Sequence, residues 1–394
     1  MLNGKAILLV LIAVFMMGVI GCNSANKESE EIDAPKGLEG GKINEEEVDR
    51  IEEKYGKLVW SDEFDYEGLP DPKKWSYDIG GHGWGNEELQ YYTSHDPDNA
   101  YVKDGKLIIT ARKEKEGENE YTSARLVTRE KGDWMYGRIE VRAKLPNGLG
   151  TWPAIWMRPT NNYYGNWPDS GEIDIMEHVA FDPGVIHGTI HTGKYNHRLG
   201  TQKGGSIKID TYDTEFHVYA LEWRPYQLKF FVDDQEFFHV EYDAEKEGED
   251  GYLAWPFDQP FYLTLNVAVG GSWGGAQGVD ENAFPQSMEV DYVRVYDLGY
   301  SVENSDKLPP GKPEIIGLSK VEEGYELRWK APADDYGVRV YKVLMDGNVV
   351  KYSFVNRCII PDIKKGETHQ FQVVAVDHAI QSSISDKKIL KVEK

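Results

Sequence analysis

The segment Gly171-Glu172-Ile173-Asp174-Ile175-Met176-Glu177-His178 alternates acidic with bulky apolar side chains. This alternation is typical of a β-strand, in which residues two apart share a face. Glu172 and Asp174 then lie on one face, and the isoleucines that follow each of them point to the opposite, buried face. Glu177 would point the wrong way in a regular strand. One extra residue, accommodated as a β-bulge at about residues 175–176, returns it to the acidic face.

Three carboxylates on one face are costly, because like charges repel and raise one another's pKa. A solvated acidic face is one alternative, but the apolar residues between the acids indicate a packed strand. A calcium site is another, but calcium prefers oxygen ligands on a loop. Glycoside hydrolysis needs two carboxyl groups beside the scissile bond. On a bulged strand the Cα atoms of Glu172 and Glu177 are about 13 Å apart, a gap that two converging glutamate side chains can close.

Short strand-like segments follow one another from residue 58 to about residue 298. Residues 106–110, 137–143 and 227–232 alternate or run apolar over strand lengths, and Gly, Pro, Asn and Asp clusters separate them. No long stretch has a helical period. Many evenly spaced strands predict an all-β fold, a sandwich or jelly roll, for residues 58–298.

The end of the chain predicts a second, smaller β-domain. Residues 299–312 contain Leu308-Pro309-Pro310-Gly311 and read as a linker. Residues 313–394 then contain about seven short strands, the size of an immunoglobulin-like sandwich. Segments 325–329, 338–344 and 370–377 resemble strands of a fibronectin type III domain. This domain shows no decisive aromatic platform, so we interpret it as a spacer.

Charge and composition exclude one class of partner and favour another. The 394 residues carry a formal net charge of -23, whereas binding to a phosphate backbone requires clustered Lys and Arg. Nucleic acid is therefore an improbable partner, and a neutral polymer fits better. The chain has 11 Trp and 24 Tyr. These aromatics fit either a β-rich core or a groove whose flat apolar faces pack on sugar rings. We expect a monomer.

The first 57 residues predict export and anchoring. Lys5 precedes an apolar run over residues 6–20 that is too short for a comfortable membrane span and ends at Gly21-Cys22. This ending resembles a bacterial lipobox, so residues 1–22 are interpreted as a signal peptide with Cys22 lipidated. An uncleaved anchor helix is the alternative. Residues 23–57 are polar and acidic and read as a flexible tether. The predicted location is the outer membrane or cell surface.

The sequence Glu-Ile-Asp-Ile-Met-Glu-His at residues 172–178 resembles the bulged catalytic signature of glycoside hydrolase family 16. The resemblance, which spans residues 58–298, implies a concanavalin A-like jelly roll. It also implies that Glu172 is the nucleophile, that Glu177 is the general acid/base and that Asp174 hydrogen-bonds the nucleophile. A negative Glu172/Asp174 pair would help Glu177 to hold its proton. The chemistry needs no cofactor.

Flanking motifs resemble those of bacterial laminarinases within this family. Trp152 and Trp156 lie four apart on one face of a strand and predict a sugar platform, with two core tryptophans as the alternative. Trp223 is more consistent with the core. The remaining expected substrate contacts, which are carried over from the resemblance, are Asn86, Arg125, His191 and Trp273. For Arg125 a salt bridge is an equally good interpretation, and the pair Glu87-Glu88 leaves open which glutamate faces the groove.

The resemblance implies one structural calcium ion, remote from the chemistry, near Glu63, Gly105 and Asp291. His187 and His191 are four apart in a strand-like segment, about 13 Å from each other, so they are not expected to share a metal. The bulged signature and the flanking motifs favour β-1,3-glucan as substrate, with mixed-linkage β-1,3-1,4-glucan as a further one. A galactan hydrolase and a glucan-binding surface lipoprotein without turnover are the alternatives.

Overall fold

The computed structural model describes residues 53–247, 250–300, 307–334, 337–360, 363–379 and 381–392. The predicted signal peptide, Cys22 and residues 23–52 of the tether lie outside these ranges. Among the described residues, no helix has the length and apolar character required to cross a bilayer.

Strands dominate the described residues. They are β1 Lys57–Asp62, β2 Ser76–Tyr77, β3 Gln90–Tyr92, β4 Ala100–Lys103, β5 Lys106–Ala111, β6 Tyr121–Ser123, β7 Arg125–Val127, β8 Asp133–Trp134, β9 Gly137–Lys144, β10 Thr151–Pro159, β11 Glu172–Glu177, β12 Val185–His191, β13 Lys203–Lys208, β14 His217–Arg224, β15 Gln227–Val232, β16 Gln235–Glu241, β17 Phe261–Val269, β18 Gln286–Asp297, β19 Glu314–Val321, β20 Gly324–Lys330, β21 Val338–Met345, β22 Asn348–Ser353, β23 Arg357–Ile360, β24 Thr368–Asp377, β25 Ser382–Ile384 and β26 Lys388–Lys391. Two short helices, α1 Ala244–Glu247 and α2 Gly251–Ala254, precede β17.

Sixteen of the strands β1–β18 form the first sandwich, which confirms the predicted jelly roll, and the other two, β3 and β6, form a separate parallel pair. One eight-stranded sheet has the order β16-β15-β14-β9-β18-β5-β4, with β1 also on β18. The other has the order β13-β12-β11-β10-β17-β7-β2, with β8 also on β17. Apolar side chains of both sheets, such as Ile139 of β9 and Ile173 of β11, belong to one buried cluster. Strand alternation produces this core, because every second residue of each strand points between the sheets.

Strands β19–β26 form the second sandwich. A sheet with the order β19-β20-β23 faces a five-stranded sheet with the order β22-β21-β24-β25, in which β26 also pairs with β24. Leu327, Trp329, Val343 and Phe371, all fully buried, belong to the core that the two sheets share. The expected second β-domain is therefore present, and its assignment to the fibronectin type III class stays a prediction.

The boundaries of the first sandwich with the tether and with the second sandwich are less sharp than the sequence indicated. Lys54 and Tyr55, placed in the tether by sequence, both bind Asp234 on the first sandwich, with Nζ and the hydroxyl each 2.7 Å from the carboxylate. Strand β1 already begins at Lys57. The described residues also belong to one compact unit, in which Arg339 of the second sandwich binds Asp258 of the first. The ordered chain therefore extends beyond the predicted limits of the catalytic domain.

Candidate active site

The three acids of β11 share one face because the strand contains one extra residue. On β12, Thr189 pairs with Asp174 and His187 pairs with Glu177, so a step of two residues on β12 matches a step of three on β11. The register against β10 shifts at the same place. The predicted β-bulge is therefore confirmed. His187 and His191, which pair with Glu177 and Glu172, are themselves on one face of β12.

The opposite face of the bulged strand is fully buried. Ile173, Ile175 and Met176 are at most 1% exposed and belong to the core of the first sandwich. The two consecutive core residues, Ile175 and Met176, are the local signature of the bulge. Burial of these three side chains fixes the acids on the open face, since a one-residue slip would exchange the two faces.

Glu172 and Asp174 lie beside His191. The imidazole Nε2 is 3.4 Å from Asp174 Oδ2 and 4.0 Å from Glu172 Oε1. Burial, together with the smaller effect of neighbouring His197, lowers the pKa of His191 to about 4. The imidazole is therefore neutral at neutral pH, and it does not neutralise either carboxylate.

Burial raises the pKa of Asp174 well above its usual range, and the charges of Glu172 and Glu177 raise it further. Burial also raises the pKa of Glu172, but the guanidinium groups of Arg158 and Arg125 and the indole of Trp167 oppose that effect. If only one of these two carboxyls is ionised, the ionised one is therefore Glu172. The raised pKa favours the protonated form of Asp174, whose Oδ2 makes no hydrogen bond among the described residues.

The pKa of Glu177 is raised to about 7. Burial is the main cause, the charge of Glu172 is the next, and Glu88 adds to it. A hydrogen bond opposes these effects, because the Trp152 indole N–H donates to Glu177 Oε1 at 3.0 Å. The sequence-based interpretation assigned the charge effect to Glu172 and Asp174 together. In the structure the charges that raise the pKa of Glu177 are those of Glu172 and Glu88, and the pKa of Asp174 is itself raised by the charges of Glu172 and Glu177.

The predicted platform tryptophans flank the acids. Trp152 and Trp156 are half-buried on the same face of β10, and the Trp156 indole N–H donates to Asn266 Oδ1 at 2.7 Å. The half-buried ring of Trp273 lies between Trp152, with centroids 5.4 Å apart, and His187, with centroids 5.1 Å apart. Trp223 is fully buried, as the core interpretation predicted. Three half-buried indoles thus lie on the acid-bearing side of the sheet, with Trp152 in contact with Glu177 and Trp273 packed on Trp152.

The segment around Asn86 resolves the question of the two glutamates. Glu87 is exposed, whereas Glu88 is half-buried and accepts hydrogen bonds from Asn86 at 3.2 Å and from Gln90 at 2.7 Å. Glu88 also raises the pKa of Glu177, so Glu88 is the glutamate that faces the site. Asn86 is half-buried beside it.

Arg125 is buried and packs against side chains of the site. Its guanidinium carbon is 4.5 Å from the centroid of Trp84 and 4.6 Å from that of Trp156. Its Nε is 3.2 Å from Asp78 Oδ2, and the two side chains are 8% and 15% exposed. The structure thus shows the salt-bridge alternative, in which Arg125 positions the Trp156 platform. A direct hydrogen bond to substrate stays a prediction.

Two residues of the site, Arg158 and Trp167, were not predicted from the sequence. Glu88 was one of two open alternatives. Arg158 carried a usable signal, because it continues the one-face series of Trp152 and Trp156 along β10. Trp167 lies in the loop between β10 and β11, and its ring is 6.0 Å from that of His191. No strand pattern marks a loop residue of this kind.

At the positions proposed for calcium, the two carboxylates are paired with arginines. Both carboxylate oxygens of Glu63 accept hydrogen bonds from Arg294 at 2.9–3.3 Å, and Asp291 accepts one from Arg142 at 2.6 Å. Carboxylates paired with arginine have little capacity left for a cation. Gly105 lies at the turn between β4 and β5. A calcium ion held here by backbone carbonyls stays a prediction.

In the described part of the chain, the His and carboxylate groups close enough to offer three metal ligands are those of Glu172, Asp174 and His191. They lie at the Glu172 end of the acidic face. His187 is not among them.

Comparison with known proteins gives consistent relatives. A beta-glucanase of Rhodothermus marinus is 62% identical over 242 residues, which are 61% of this chain and 85% of the relative. The X-ray structure of the laminarinase from Rhodothermus marinus has a TM-score of 0.59 and 61% identity, covering 61% of this chain and 96% of that one. A non-specific endo-beta-1,3(4)-glucanase that presents 1,3-beta-D-cellobiosyl-glucose at its active site has a TM-score of 0.58 and 49% identity, covering 61% and 94%. The profile described as Glycosyl hydrolases family 16 matches residues 85–294, and the chain belongs to that family.

Proposed function

We propose that this protein is an endo-acting β-1,3-glucan hydrolase that retains anomeric configuration and also accepts mixed-linkage β-1,3-1,4-glucan. The observation that carries the proposal is the bulged strand β11, which presents Glu172 and Glu177 on one open face. The two glutamates differ in their surroundings in the way that the two roles require. The laminarinase and endo-beta-1,3(4)-glucanase relatives support the choice of substrate.

Glu172 is assigned as the nucleophile. Its carboxylate attacks the anomeric carbon, and the bond from that carbon to the leaving oxygen breaks. Arg158, Arg125 and Trp167 favour the ionised form that this attack requires. A carboxyl oxygen of Asp174 lies within 4.8 Å of a carboxyl oxygen of Glu172, and in its protonated form Asp174 can hydrogen-bond Glu172 when the glycosyl group departs.

Glu177 is assigned as the general acid/base. With a pKa of about 7, it holds a proton in mildly acidic to neutral solution and transfers it to the leaving oxygen. It then takes a proton from the water that attacks the glycosyl-enzyme. Once Glu172 is esterified its negative charge is gone, and the pKa of Glu177 falls, because that charge was one of the causes of its elevation. The same carboxyl is thereby suited to act as a base.

Apolar aromatic faces favour a neutral glucan. Trp152, Trp156 and Trp273 provide apolar faces beside the acids, and such faces pack against the C–H surfaces of sugars. Sulfated galactans call for cationic subsites, whereas the guanidinium of Arg125 is buried and paired with Asp78. A non-catalytic glucan receptor is disfavoured because its fold would have no use for three buried acids on one face. The chemistry needs no cofactor.

The experiment measures reducing ends released from laminarin, lichenan and agarose, with the product anomer followed by NMR. We expect fast release from laminarin with the β-anomer appearing first, slower release from lichenan, and none from agarose. Release from agarose alone would replace the glucanase with a galactan hydrolase. No release from any polymer, with retained binding to laminarin, would make the protein a receptor.

A matched pair of variants tests the nucleophile. Glu172→Gln should lose turnover, by about 10⁴-fold or more, while still binding laminarin oligosaccharides. The control is Glu241→Gln, the same substitution at an exposed position on β16 of the opposite sheet, and it should keep wild-type rates. Substantial activity in Glu172→Gln would refute the assignment.

We further propose that the protein is exported and anchored through a lipid on Cys22. The support is the sequence alone: Lys5, the apolar run and Gly21-Cys22. Expression of the full chain with radiolabelled fatty acid should label the protein, and Cys22→Ser should abolish the label and release activity from the membrane fraction. Equal labelling of both forms would contradict the anchor.

A further inference from the structure

Arg339 of β21 carries a buried charge at the contact between the two sandwiches. Its side chain is 1% exposed, and that of Asp258, in the segment between α2 and β17, is 7% exposed. Arg339 Nε donates to Asp258 Oδ2 at 2.7 Å and Nη2 donates to Oδ1 at 3.2 Å. A bidentate pair of this kind fixes orientation as well as distance. The second sandwich is therefore held in one geometry on the first.

The same contact includes the beginning of the loop that joins β10 to β11, residues 160–171. Tyr164 of this loop donates its hydroxyl to Asp258 at 2.9 Å, and the Arg339 guanidinium carbon lies 4.8 Å from the Tyr163 ring centroid. Tyr352 of β22 donates its hydroxyl to the carbonyl oxygen of Tyr163 at 2.8 Å. The second sandwich thus binds both a side chain and the backbone of the 160–171 loop.

Internal hydrogen bonds connect the beginning of this loop to its end. The Tyr164 backbone N–H donates to Ser170 Oγ at 2.9 Å, and that hydroxyl donates to the carbonyl of Gly165 at 2.7 Å. The Gly171 N–H donates to the Pro168 carbonyl at 2.9 Å. Gly171 is immediately followed by Glu172. A displacement at Tyr164 is therefore transmitted to the start of β11 through few rotatable bonds.

The middle of the loop carries Trp167, which contacts the catalytic cluster. Its ring centroid is 6.0 Å from that of His191 and 5.1 Å from that of His197. His191 in turn places Nε2 3.4 Å from Asp174 and 4.0 Å from Glu172. Trp167 thus covers the nucleophile end of the site from the side that the second sandwich supports.

We propose that the second sandwich is a brace for catalysis, in which Arg339 and Tyr352 act as positioning residues that hold the 160–171 loop, and with it Trp167, against the nucleophile cluster. The proposal replaces the interpretation of this domain as a spacer, and it rests on the proposed hydrolase function. Arg339 does not touch the substrate in this scheme. It acts through Asp258, Tyr163 and Tyr164.

A structural role alone makes a different prediction from a positioning role. If Arg339 served stability only, a folded variant would keep the pH profile of the wild type. If it positions Trp167, its loss also removes the effect by which Trp167 lowers the pKa of Glu172, and the acid limb of kcat/KM moves to higher pH. The other groups that face Glu172 stay in place, namely Asp174 and Glu177 on β11, His191 on β12, Arg158 on β10 and Arg125 on β7.

The test compares full-length Arg339→Met, Tyr352→Phe and Trp167→Phe with the wild type on laminarin. Arg339→Met should lower kcat about tenfold, as expected for a misplaced catalytic constellation. The acid limb should rise by roughly half a pH unit, as for a lost hydrogen bond to a carboxylate. Tyr352→Phe should give smaller changes of the same sign. The double variant Arg339→Met/Trp167→Phe should have nearly the same kcat and acid limb as either single variant, because both substitutions act through one contact.

The control is Arg357→Met on β23, where the side chain is 60% exposed, and it should leave both kcat and the pH profile unchanged. If Arg339→Met does not fold, Tyr352→Phe decides, since it removes one hydroxyl and no charge. A folded variant with wild-type kcat and an unshifted acid limb would overturn the brace.

Hydrogen exchange separates this inference from the proposed function. Arg339→Met should raise exchange of the backbone amides in residues 160–171, and Arg357→Met should not. Exchange that is unchanged by Arg339→Met would overturn the brace whether or not the enzyme is active. A wild type that releases no reducing ends from laminarin would contradict the proposed function. The exchange result would still show whether Arg339 holds the 160–171 loop.

Discussion

Trp152 donates its indole N–H to Glu177 Oε1 at 3.0 Å, across neighbouring strands of one sheet. Glu88, from a segment more than sixty residues earlier in the chain, acts on the same carboxyl with the opposite sign. The hydrogen bond favours the ionised form of Glu177 and the negative charge favours the protonated form. The pKa of about 7 is therefore a balance that single substitutions shift in either direction.

Replacement of Trp152 by Phe should move the basic limb of kcat/KM to higher pH. The limb reports loss of the proton that Glu177 transfers to the leaving oxygen, and in the wild type it should lie near pH 7. Phe keeps an aromatic face but has no N–H, so the ionised carboxyl loses a donor and its pKa rises. A pH–rate profile on laminarin measures the shift, which should be roughly 0.5–1 pH unit.

Replacement of Glu88 by Gln should move the same limb to lower pH. The change removes a negative charge that raises the pKa of Glu177 and keeps the size of the side chain. Exposed Glu87 is the neighbouring control, and Glu87→Gln should leave the profile unchanged. If both glutamine variants shift the limb equally, the assignment of Glu88 as the glutamate that faces the site is wrong.

Insertion of one alanine after Met176 should abolish turnover. One bulge already accommodates the extra residue between Asp174 and Glu177, and one more residue moves Glu177 to the core face of the sheet, where it can no longer protonate the leaving oxygen. Loss of a general acid costs about 10²–10⁴-fold, so initial rates on laminarin should fall at least as far as in Glu177→Gln. The insertion also places a carboxyl against the buried cluster, and thermal unfolding should show a lower Tm than for Glu177→Gln.

Near-wild-type activity in the insertion variant would show that the number of residues between Asp174 and Glu177 does not determine the facing of Glu177. Deletion of Ile175 is the complementary test. It leaves Glu177 two residues after Asp174 and opposite His187 on β12, on the same face as Glu172 in a regular strand, so the deletion variant should keep more activity than the insertion variant.

The bulge and the jelly roll could be predicted from the sequence because both follow from the local alternation of polar and apolar residues. Glu172 and Asp174 are two apart with Ile173 between them, and strand geometry alone places them on one face. Glu177 required one further step, and only a bulge reconciles its spacing with a shared face. The core position of Trp223 followed from the same alternation along β14.

The electrostatic setting of the site could not be predicted in this way. Glu88 and Trp167 reach the acids from loops, and their distance to β11 depends on tertiary packing that no periodicity encodes. The protonated state of Asp174 depends on burial by both sheets, which strand patterns do not give. The pairing of Arg339 with Asp258 joins residues eighty-one apart in sequence, and neither position carried a local signal.

Two substitutions of Arg125 separate the effect of its charge from the effect of its stacking on the neighbouring tryptophans. Arg125→Met removes the ion pair with Asp78 and the positive charge that lowers the pKa of Glu172. The acid limb of kcat/KM should therefore rise. Arg125→Lys keeps the charge but not the planar group that packs between Trp84 and Trp156, so its acid limb should stay close to that of the wild type.

Both Arg125 variants should be less stable than the wild type, by about 2–3 kcal/mol for methionine and less for lysine. The loss is limited because Asp78 keeps a second arginine, Arg129, at 3.3 Å. Denaturant unfolding gives the stability and laminarin pH–rate profiles give the limb. An equal rise of the acid limb in both variants would mean that the position of Trp156, and not the charge of Arg125, controls the ionisation of the nucleophile.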